Sequence, residues 1–533
     1  MARRPNFVMF ITDQHRADYL GCTGHPVLQT PNIDRIATEG TIFDRFYVAS
    51  PVCMPNRASV MTGRMPSVHG VRCNGIPLSR NTVTFVDLLR EAGYRTALIG
   101  KSHLQNFTNV PNVLIRPAPR EGFGEPGIES QDAVRDDRSI PFYQQESPCH
   151  WYDPEAKVAT PFYGFDHVEL VTGHGDSVGG DYRRWLRGKD VEAERLIGPE
   201  AALAHAYQCP QALRTAVPVE LYSTTYIVER VQAYLDDHAR DHSDEPVFLM
   251  VSFPDPHHPF NPPGHYWDLY KPEQFAEPEA YSRNDWAPPP HVLDAMEQRE
   301  TGVANLAGMG TIVVTGQEAR EAQALTCGMI ACIDDAVGQI LDDVFSGDLT
   351  GETVTLFTTD HGDHLGDHRL LLKGAEQYQS IVRVPFLWSD PGMPRGPART
   401  KAIASSIDIP ATILERARIE PFSGMQGQSL LPVMSGEASD HREAAFIQYD
   451  HQRTQPYLGN QPRVHTLVDW RWRISVFHGA DWGELYDLVS DPGEFENLWD
   501  DPASASVKAE MIERLLRAEI AYADRSPFPT ALA

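Results

Sequence analysis

Four short apolar runs constrain the fold of this 533-residue chain more than any other feature. They are nearly continuous in hydrophobicity rather than alternating, which is typical of strands in a parallel sheet that is covered on both faces. The runs are Phe7–Thr12, Thr96–Gly100, Val247–Phe253 and Thr353–Thr359. Helix-like segments lie between them, at Thr82–Ala92, Ser223–His238 and Glu318–Phe345. This alternation predicts an α/β fold, with a large, mixed, mostly parallel sheet sandwiched by helices.

The chain beyond Pro410 predicts a second, smaller unit. Its strand-like pieces alternate in hydrophobicity, which indicates an antiparallel sheet that packs on the main domain. These pieces are Ala444–Tyr449, Arg463–Val468 and Trp472–Phe477. We therefore predict an α/β domain over residues 1–410 and an α+β subdomain over residues 411–533. Two irregular stretches, about 105–220 and 254–317, are predicted loop insertions, which form either lids and binding walls or surface loops without a role.

Each apolar run of the main domain is followed by polar side chains. The four sets are Asp13-Gln14-His15, Lys101-Ser102-His103, Asp255-Pro256-His257-His258 and Asp360-His361-Gly362-Asp363-His364. In open α/β sheets, ligands bind beyond the carboxyl ends of the strands. Carboxylates, imidazoles and an ammonium group would therefore meet at one rim, which predicts a functional site there.

Charge and composition exclude several classes of protein. A net charge of -27 argues against a nucleic-acid partner, because binding a phosphate backbone requires clustered Lys and Arg. No apolar run approaches the roughly 18 residues that span a bilayer, so we expect no membrane partner. The first apolar stretch is too short for a signal peptide, and the seven scattered cysteines are typical of a reducing compartment. We expect a cytoplasmic protein, and its acidic surface is compatible with a homo-oligomer.

The segment CMPNRASVMTG predicts a helix that begins near Cys53 and stops at Gly63. Pro55 suits the first turn, where its missing N–H does no harm. A cysteine at a helix amino terminus meets free N–H groups, which favour an anionic ligand and lower the pKa of a thiol. The spacer from Cys53 to Arg57 is too short to wrap a phosphate as in tyrosine phosphatases, and the cysteines lack the paired spacing of zinc sites. A small buried hydrophobe remains the alternative interpretation of Cys53.

The motif C-x-P-x-R in PVCMPNRASVMTGR resembles the signature of the type I sulfatases of the alkaline phosphatase superfamily. Further family motifs follow in order, from residue 5 to about residue 500: TDQHRADYLGC, TPNIDRIATEG, GYRTALIGKSHL, DPHHPF, TTDHGDHLGDH, LLKGAEQYQSIVRVP and ELYDLVSDPGEFENL. The resemblance implies an alkaline-phosphatase-like fold and hydrolysis of small anionic sulfate esters. It also implies that a separate maturation enzyme oxidises Cys53 to formylglycine. The hydrate of that aldehyde is then the nucleophile, which acts through a covalent sulfo-enzyme intermediate.

The resemblance implies one divalent metal ion. Asp13, Gln14, Asp360 and His361 match the metal positions of the family, and residue 53 completes the shell. Oxygen ligands suit hard cations, so Ca²⁺ is favoured, with Mn²⁺ or Mg²⁺ as alternatives.

The remaining site residues are also assigned by the resemblance. Lys101 and Lys373 match the lysines that hold sulfate oxygens. His103 matches the histidine that helps to take a proton from the hydrate, and His257 the one that protonates or contacts the leaving alcohol, with His258 a weaker candidate. Arg57 would hold the hydrate and Asp360 would help to deprotonate it. Asn74 is either a substrate-binding residue or a turn residue. The pairs Asp363-His364 and Asp367-His368 are interpreted as supporting or surface groups.

A phosphonate monoester hydrolase or phosphodiesterase is the alternative function, because that group shares the fold, the oxidised cysteine and the Asp-Gln pair. Lys101 and His103 favour a sulfatase, since less charged residues replace them in that group. We expect weak activity toward phosphoesters and phosphonates. A non-catalytic relative would have lost part of this constellation. Aryl, sugar and choline sulfates all remain open, and the loop aromatics that either stack the substrate or pack are Phe107, Trp151, Tyr163, Phe260, Tyr266 and Trp267.

Overall fold

A computed structural model describes residues 4–111, 118–347, 349, 352–393, 396, 398–452 and 461–532. Its strands are β1 (Asn6–Thr12), β2 (Thr41–Tyr47), β3 (Arg95–Gly100), β4 (His167–Thr172), β5 (Gly179–Gly180), β6 (Val247–Ser252), β7 (Ile312–Val313), β8 (Thr353–Thr359), β9 (Leu370–Leu371), β10 (Leu387–Ser389), β11 (Arg399–Ser405), β12 (Ala445–Asp450), β13 (Arg463–Val468), β14 (Trp472–Phe477) and β15 (Gly483–Asp487). Its α-helices are α1 (Ile33–Thr38), α2 (Cys53–Thr62), α3 (Pro66–His69), α4 (Phe85–Glu91), α5 (Asp181–Lys189), α6 (Ser223–Asp241), α7 (Pro290–Glu300), α8 (Gly316–Ser346), α9 (Gln379–Val382), α10 (Asp408–Arg416), α11 (Leu431–Met434) and α12 (Ala505–Ala521).

The main sheet has the strand order β11-β2-β10-β8-β1-β6-β3-β4-β5. Strands β8, β1, β6, β3 and β4 run parallel, and β10 is antiparallel to both of its neighbours. At the centre, Phe7 of β1 lies opposite Phe248 of β6 and Val354 of β8. All residues of these three strands are buried, which accounts for their continuous apolar runs. The predicted large, mixed, mostly parallel sheet is confirmed.

Helices cover both faces of this sheet. Side chains alternate along β1, so Phe7, Met9 and Ile11 enter one core while Val8 and Phe10 enter the other. The first core includes apolar residues of α2, α4 and α10, and the second includes residues of α1, α6 and α8. This three-layer arrangement leaves the carboxyl ends of the strands as the rim where a ligand can bind.

The three predicted helices are present as α4, α6 and α8. Helix α4 begins at Phe85, three residues later than predicted, because Thr84 and Asp87 form a capping box. Helix α8 is long and apolar enough to cross a bilayer by length and composition, contrary to the expectation that no segment is. However, 89% of its most apolar window is buried within the protein, as expected for a core helix.

The carboxyl-terminal part forms a four-stranded antiparallel sheet in the order β12-β13-β14-β15. The three predicted strands are present within one residue, and β15 extends the sheet. Apolar residues of α12 pack on this sheet. Helix α10 spans residue 410, and its Ile409 and Ile413 belong to the core of the main domain. The division into 1–410 and 411–533 stays a prediction.

The stretches predicted as irregular contain regular elements. Residues 105–220 include β4, β5 and α5, and residues 254–317 include α7 and β7. Strand β4 is part of the main sheet, where His167 lies opposite Ala97 of β3. The prediction of an irregular segment is therefore wrong for β4, whose carboxyl end reaches the same rim as the four predicted strands.

Candidate active site

The carboxyl ends of β8, β1, β6 and β3 bring the predicted residues together, because these four strands are neighbours in the sheet. One ligand atom from each of four buried residues lies within 4.8 Å of the others, in the set Asp13, Cys53, Asp360 and His361. Cys53 Sγ is 3.1 Å from His361 Nε2 and 3.9 Å from Asp13 Oδ1. His361 Nε2 is 3.6 Å from an oxygen of each aspartate. Four residues from three separate parts of the chain therefore converge on one point.

The donor set of this cluster fits a divalent cation. His361 Nδ1 lies 2.9 Å from the carbonyl oxygen of Gly362, which places its proton on Nδ1 and leaves the Nε2 lone pair facing the cluster. Burial lowers the pKa of His361 to about 4, so the ring is neutral near pH 7. Two carboxylates and a neutral imidazole that face one another are donors that bind Ca²⁺ or Mn²⁺.

Two buried cations compensate the carboxylates. Arg57 Nε donates to Asp360 Oδ2 at 2.7 Å, and Arg57 Nη2 is 3.6 Å from Asp13 Oδ2. Lys101 Nζ forms an ion pair with Asp13. Burial alone would raise the pKa of Asp13, but Lys101 and Arg57 hold it well below its usual range. Other Arg57 donors bind the Lys101 carbonyl and the Ser252 hydroxyl, both at 3.0 Å, so Arg57 lies beneath the carboxylates and fixes their positions.

Helix α2 places residue 53 at its first turn. Val52 is extended, Gly63 ends the helix at φ 63°, and Asn74 Oδ1 accepts a hydrogen bond from the Met54 N–H at 3.1 Å. Burial and the nearby Asp13 raise the pKa of Cys53 to about 12. The expectation of a lowered thiol pKa is therefore wrong, because burial and carboxylates outweigh the helix dipole. A neutral thiol is a poor nucleophile.

A second group of side chains surrounds Lys373. Its Nζ donates to Gln14 Oε1 at 2.7 Å and lies 2.8 Å from His257 Nε2. His257 Nδ1 is within hydrogen-bond distance of the His258 carbonyl oxygen, so the ring carries its proton on Nδ1 and accepts from Lys373 at Nε2. Burial and the neighbouring His174 lower the pKa of His257 well below its usual range. Ligation of the metal by Gln14 stays a prediction.

The structure adds His174, which the sequence analysis did not identify. His174 follows β4, and its Nε2 lies 2.7 Å from Lys101 Nζ. Its ring stacks on His257, with 3.5 Å between centroids and 11° between planes. His174 therefore contacts both Lys101 and His257. The signal that could have found it is the polar residue after HVELVT, which matches the pattern of the other four strand ends.

His103 lies beside this group in left-handed backbone geometry, at φ 57°. Its ring packs on Phe107 at 3.9 Å between centroids, and Nδ1 has no hydrogen-bond partner within the described part of the chain. The main-chain N–H groups of residues 103, 104 and 105 all donate to the Glu146 carboxylate. Burial raises the pKa of Glu146 to about 7 despite these donors. The loop thus holds a buried imidazole with a free nitrogen.

The supporting pairs in TTDHGDHLGDH have partners of their own. Asp363 Oδ1 accepts from the N–H groups of Leu365 and Leu372, and Asp367 forms a 2.9 Å ion pair with Arg16. His368 stacks on Tyr378 at 3.6 Å. These contacts brace the loop that follows β8.

The site opens into a cavity of about 450 Å³. Its base is formed by Cys53, Asn74, His103, His174, His257 and Lys373. Of the six aromatic candidates, Phe107 lines the cavity, Tyr163, Phe260, Tyr266 and Trp267 are buried in packing, and Trp151 is half-buried against the core. Reactive groups lie at the bottom of a cavity large enough for a small ester.

The profile of the family described as Sulfatase matches residues 5–419. The chain belongs to the sulfatase family. A second profile, described as N-sulphoglucosamine sulphohydrolase, C-terminal, matches residues 366–521. The predicted membership in this family of sulfuric ester hydrolases is confirmed, and the convergent cluster is its candidate active site.

Relatives of this sulfatase cover almost its whole length. An arylsulfatase of Clostridium perfringens is 28% identical over 93% of this chain and 90% of its own. A multifunctional alkaline phosphatase superfamily protein of Trinickia caryophylli is 28% identical over 98% of this chain and 96% of its own. The solved phosphonate monoester hydrolase of Agrobacterium radiobacter shares the fold, with a TM-score of 0.77 and 23% identity over 98% of this chain and 97% of that one.

Proposed function

We propose that this sulfatase hydrolyses sulfate monoesters with a formylglycine hydrate at position 53 as the nucleophile and one divalent metal ion as cofactor. Water is consumed, the S–O bond to the alcohol breaks, and the products are the alcohol and inorganic sulfate. The observation that carries the proposal is the cluster of Asp13, Cys53, Asp360 and His361, with Lys101 ion-paired to it. A sulfate head is anionic and tetrahedral, and preorganised cations stabilise the charge that develops as its ester bond breaks.

The metal supplies positive charge that holds the nucleophile and draws electron density from the sulfuryl oxygens. Asp13, Asp360, His361 and residue 53 would hold it, with Gln14 as a further ligand. We propose Ca²⁺, because oxygen donors predominate in this set, and Mn²⁺ is the alternative.

The remaining catalytic roles belong to side chains of the protein. Arg57 donates to Asp360, and Asp360 would accept a proton from the hydrate. Lys101 and Lys373 would bind the sulfuryl oxygens. The hydrogen-bonded pair of Lys373 and His257 places an ammonium proton beside an imidazole, and this pair would protonate the departing alcohol. The free Nδ1 of His103 makes that ring the candidate base for release of sulfate.

Maturation is part of the proposal. Cys53 is buried, with 1% of its surface exposed, and its pKa near 12 keeps the thiol neutral. We therefore propose that a separate formylglycine-generating enzyme converts it, and that the sulfate ester is the small-molecule partner. Cytoplasmic localisation and assembly into a homo-oligomer stay predictions.

Phosphonate monoester hydrolysis is the second candidate, because Gln14 stands where a second aspartate is usual and the phosphonate monoester hydrolase shares the fold. Two esters of 4-nitrophenol distinguish the candidates: 4-nitrophenyl sulfate and 4-nitrophenyl phenylphosphonate, which release the same phenol. We expect kcat/KM for the sulfate to exceed that for the phosphonate by at least about tenfold, because Lys101 and Lys373 favour a head without a second organic arm. A ratio in the opposite direction would make the phosphonate the primary substrate.

A further inference from the structure

The described part of the wall of the active-site cavity carries carboxylates. Among the described residues that line it, Asp294 and Glu376 are the carboxylates, and Lys373 at the base is the single lysine or arginine. Helix α7 supplies one side of this wall through positions 291, 294, 295 and 298, which lie on one helix face. The carboxylates of the described wall are therefore opposite in charge to the lysine at the base.

Asp294 presents its charge to the cavity. It is half-buried, and its Oδ2 accepts a hydrogen bond of 2.6 Å from the side-chain amide of Gln298, one turn further along α7. An amide is neutral, so this contact orients the carboxylate without cancelling its charge. A substrate group at the mouth of the cavity would meet this negative charge.

Glu376, which lies three residues after Lys373 in the chain, adds a second negative charge to the wall. It is buried and accepts a 2.6 Å hydrogen bond from the Thr311 hydroxyl, and His364 Nε2 lies 3.8 Å away. Burial alone would raise the pKa of Glu376, but the contact with His364 holds it at about 2, so the group is ionised near neutral pH. The rest of the wall includes neutral surface from Phe107, Ala295, Met309 and Tyr449.

We infer that the alcohol half of the substrate is neutral or cationic and carries no second anionic group. This inference rests on the proposed function, because it takes the cations at the base to be occupied by one sulfate. A further sulfate or carboxylate on the alcohol would lie near Asp294 and Glu376, without a described cation on the wall to pair with it. The net charge of -27 adds a long-range repulsion of polyanions. Esters of small, singly sulfated alcohols are favoured over polysulfated saccharides.

The test uses three phenyl sulfates that differ only in charge at the para position. They carry trimethylammoniomethyl, hydroxymethyl or carboxymethyl groups, and the ratio of their uncatalysed hydrolysis rates corrects for the different acidities of the leaving phenols. We expect kcat/KM for the cationic ester to exceed that for the anionic ester by at least about tenfold at low salt, with the neutral ester between them. The ratio should shrink at high ionic strength, because the cavity mouth is open to solvent.

Asp294→Asn tests whether the wall is the cause. We expect the cationic-to-anionic ratio to fall by about threefold to tenfold. The matched control is Glu297→Gln, which removes the same charge from an exposed position on the same helix. This control should keep both the ratio and the activity of the unsubstituted protein.

Three outcomes would overturn the inference. The first is equal or higher kcat/KM for the anionic ester, and the second is an equal change of the ratio in Asp294→Asn and Glu297→Gln. Hydrolysis of the neutral ester in either case would leave the proposed function standing. The third outcome is that none of the three esters is hydrolysed, which would overturn the proposed function and the inference with it.

Discussion

Replacing Cys53 with alanine is expected to abolish turnover of both sulfate and phosphonate esters. An alanine at this position cannot be oxidised to the aldehyde, so the proposed hydrate cannot form beside Asp13, Asp360 and His361. We expect a loss of at least about a thousandfold in kcat/KM, since removal of a nucleophile disables the groups that act with it. Initial rates with 4-nitrophenyl sulfate and 4-nitrophenyl phenylphosphonate measure this loss.

The matched control is Cys149→Ala, because Cys149 is a free and exposed cysteine. This variant should keep its activity within twofold. In the active protein, the peptide that contains residue 53 should be about 18 Da lighter than its cysteine form, as required for conversion of CH₂SH to CHO. Activity of Cys53→Ala within tenfold of the unsubstituted protein would refute the assignment of the nucleophile.

Replacing Lys101 with alanine is expected to cost roughly 2–4 kcal/mol of transition-state stabilisation, on the scale of losing one oxyanion-hole donor. This corresponds to a loss of about thirtyfold to a thousandfold in kcat/KM. The physical reason is that Lys101 is buried between Asp13 and His174 and would meet the sulfuryl oxygens as a desolvated cation. Steady-state kinetics with 4-nitrophenyl sulfate measure the effect.

The Lys101 variant also removes the ion-pair partner of Asp13, so its metal content must be measured beside its activity. A loss of activity with full metal occupancy would assign the effect to the sulfate head. The control is Lys157→Ala, an exposed lysine that should be neutral. A loss below twofold for Lys101→Ala would mean that the ammonium group does not contact the substrate.

The central strands could be predicted from the sequence because burial on both faces imposes a simple pattern. Every residue of β1, β6 and β8 is buried, so the runs are continuous and apolar. Strand β4 could not be recognised in this way, because its first three residues, His167, Val168 and Glu169, are partly exposed. Strand β11 has exposed Arg399 and Lys401 at its start. Both strands depend on pairing with distant neighbours rather than on a local apolar run.

Strands without a local apolar run also explain which active-site residues the sequence patterns did not reveal. His174 follows β4, so the failure to predict that strand also hid the histidine. Lys373 follows the two-residue strand β9 and was found only through the family resemblance. The pKa of Cys53 was predicted in the wrong direction because the local helix rule ignores the burial of the thiol and the charge of Asp13, which is close in space but far along the chain.

The hydrogen-bond partners of Arg57 also could not be predicted from its neighbours in the sequence. The sequence predicted that this side chain holds the hydrate, and the structure shows its donors on Asp360, Ser252 and the carbonyl of Lys101. Such partners come from different strands, and their convergence is set by the topology of the sheet. Spacing along the chain identifies a residue with a role, but the fold decides which neighbour that residue contacts.

The central claim is that distant residues converge on one divalent ion beside a converted residue 53. The most direct measurement is a crystal structure of the matured protein grown with Mn²⁺, whose anomalous scattering locates the ion. We predict one ion within about 2.6 Å of oxygens from Asp13, Asp360 and the residue-53 hydrate. An ion bound elsewhere, or Asp13 and Asp360 separated by more than one coordination sphere, would contradict the account.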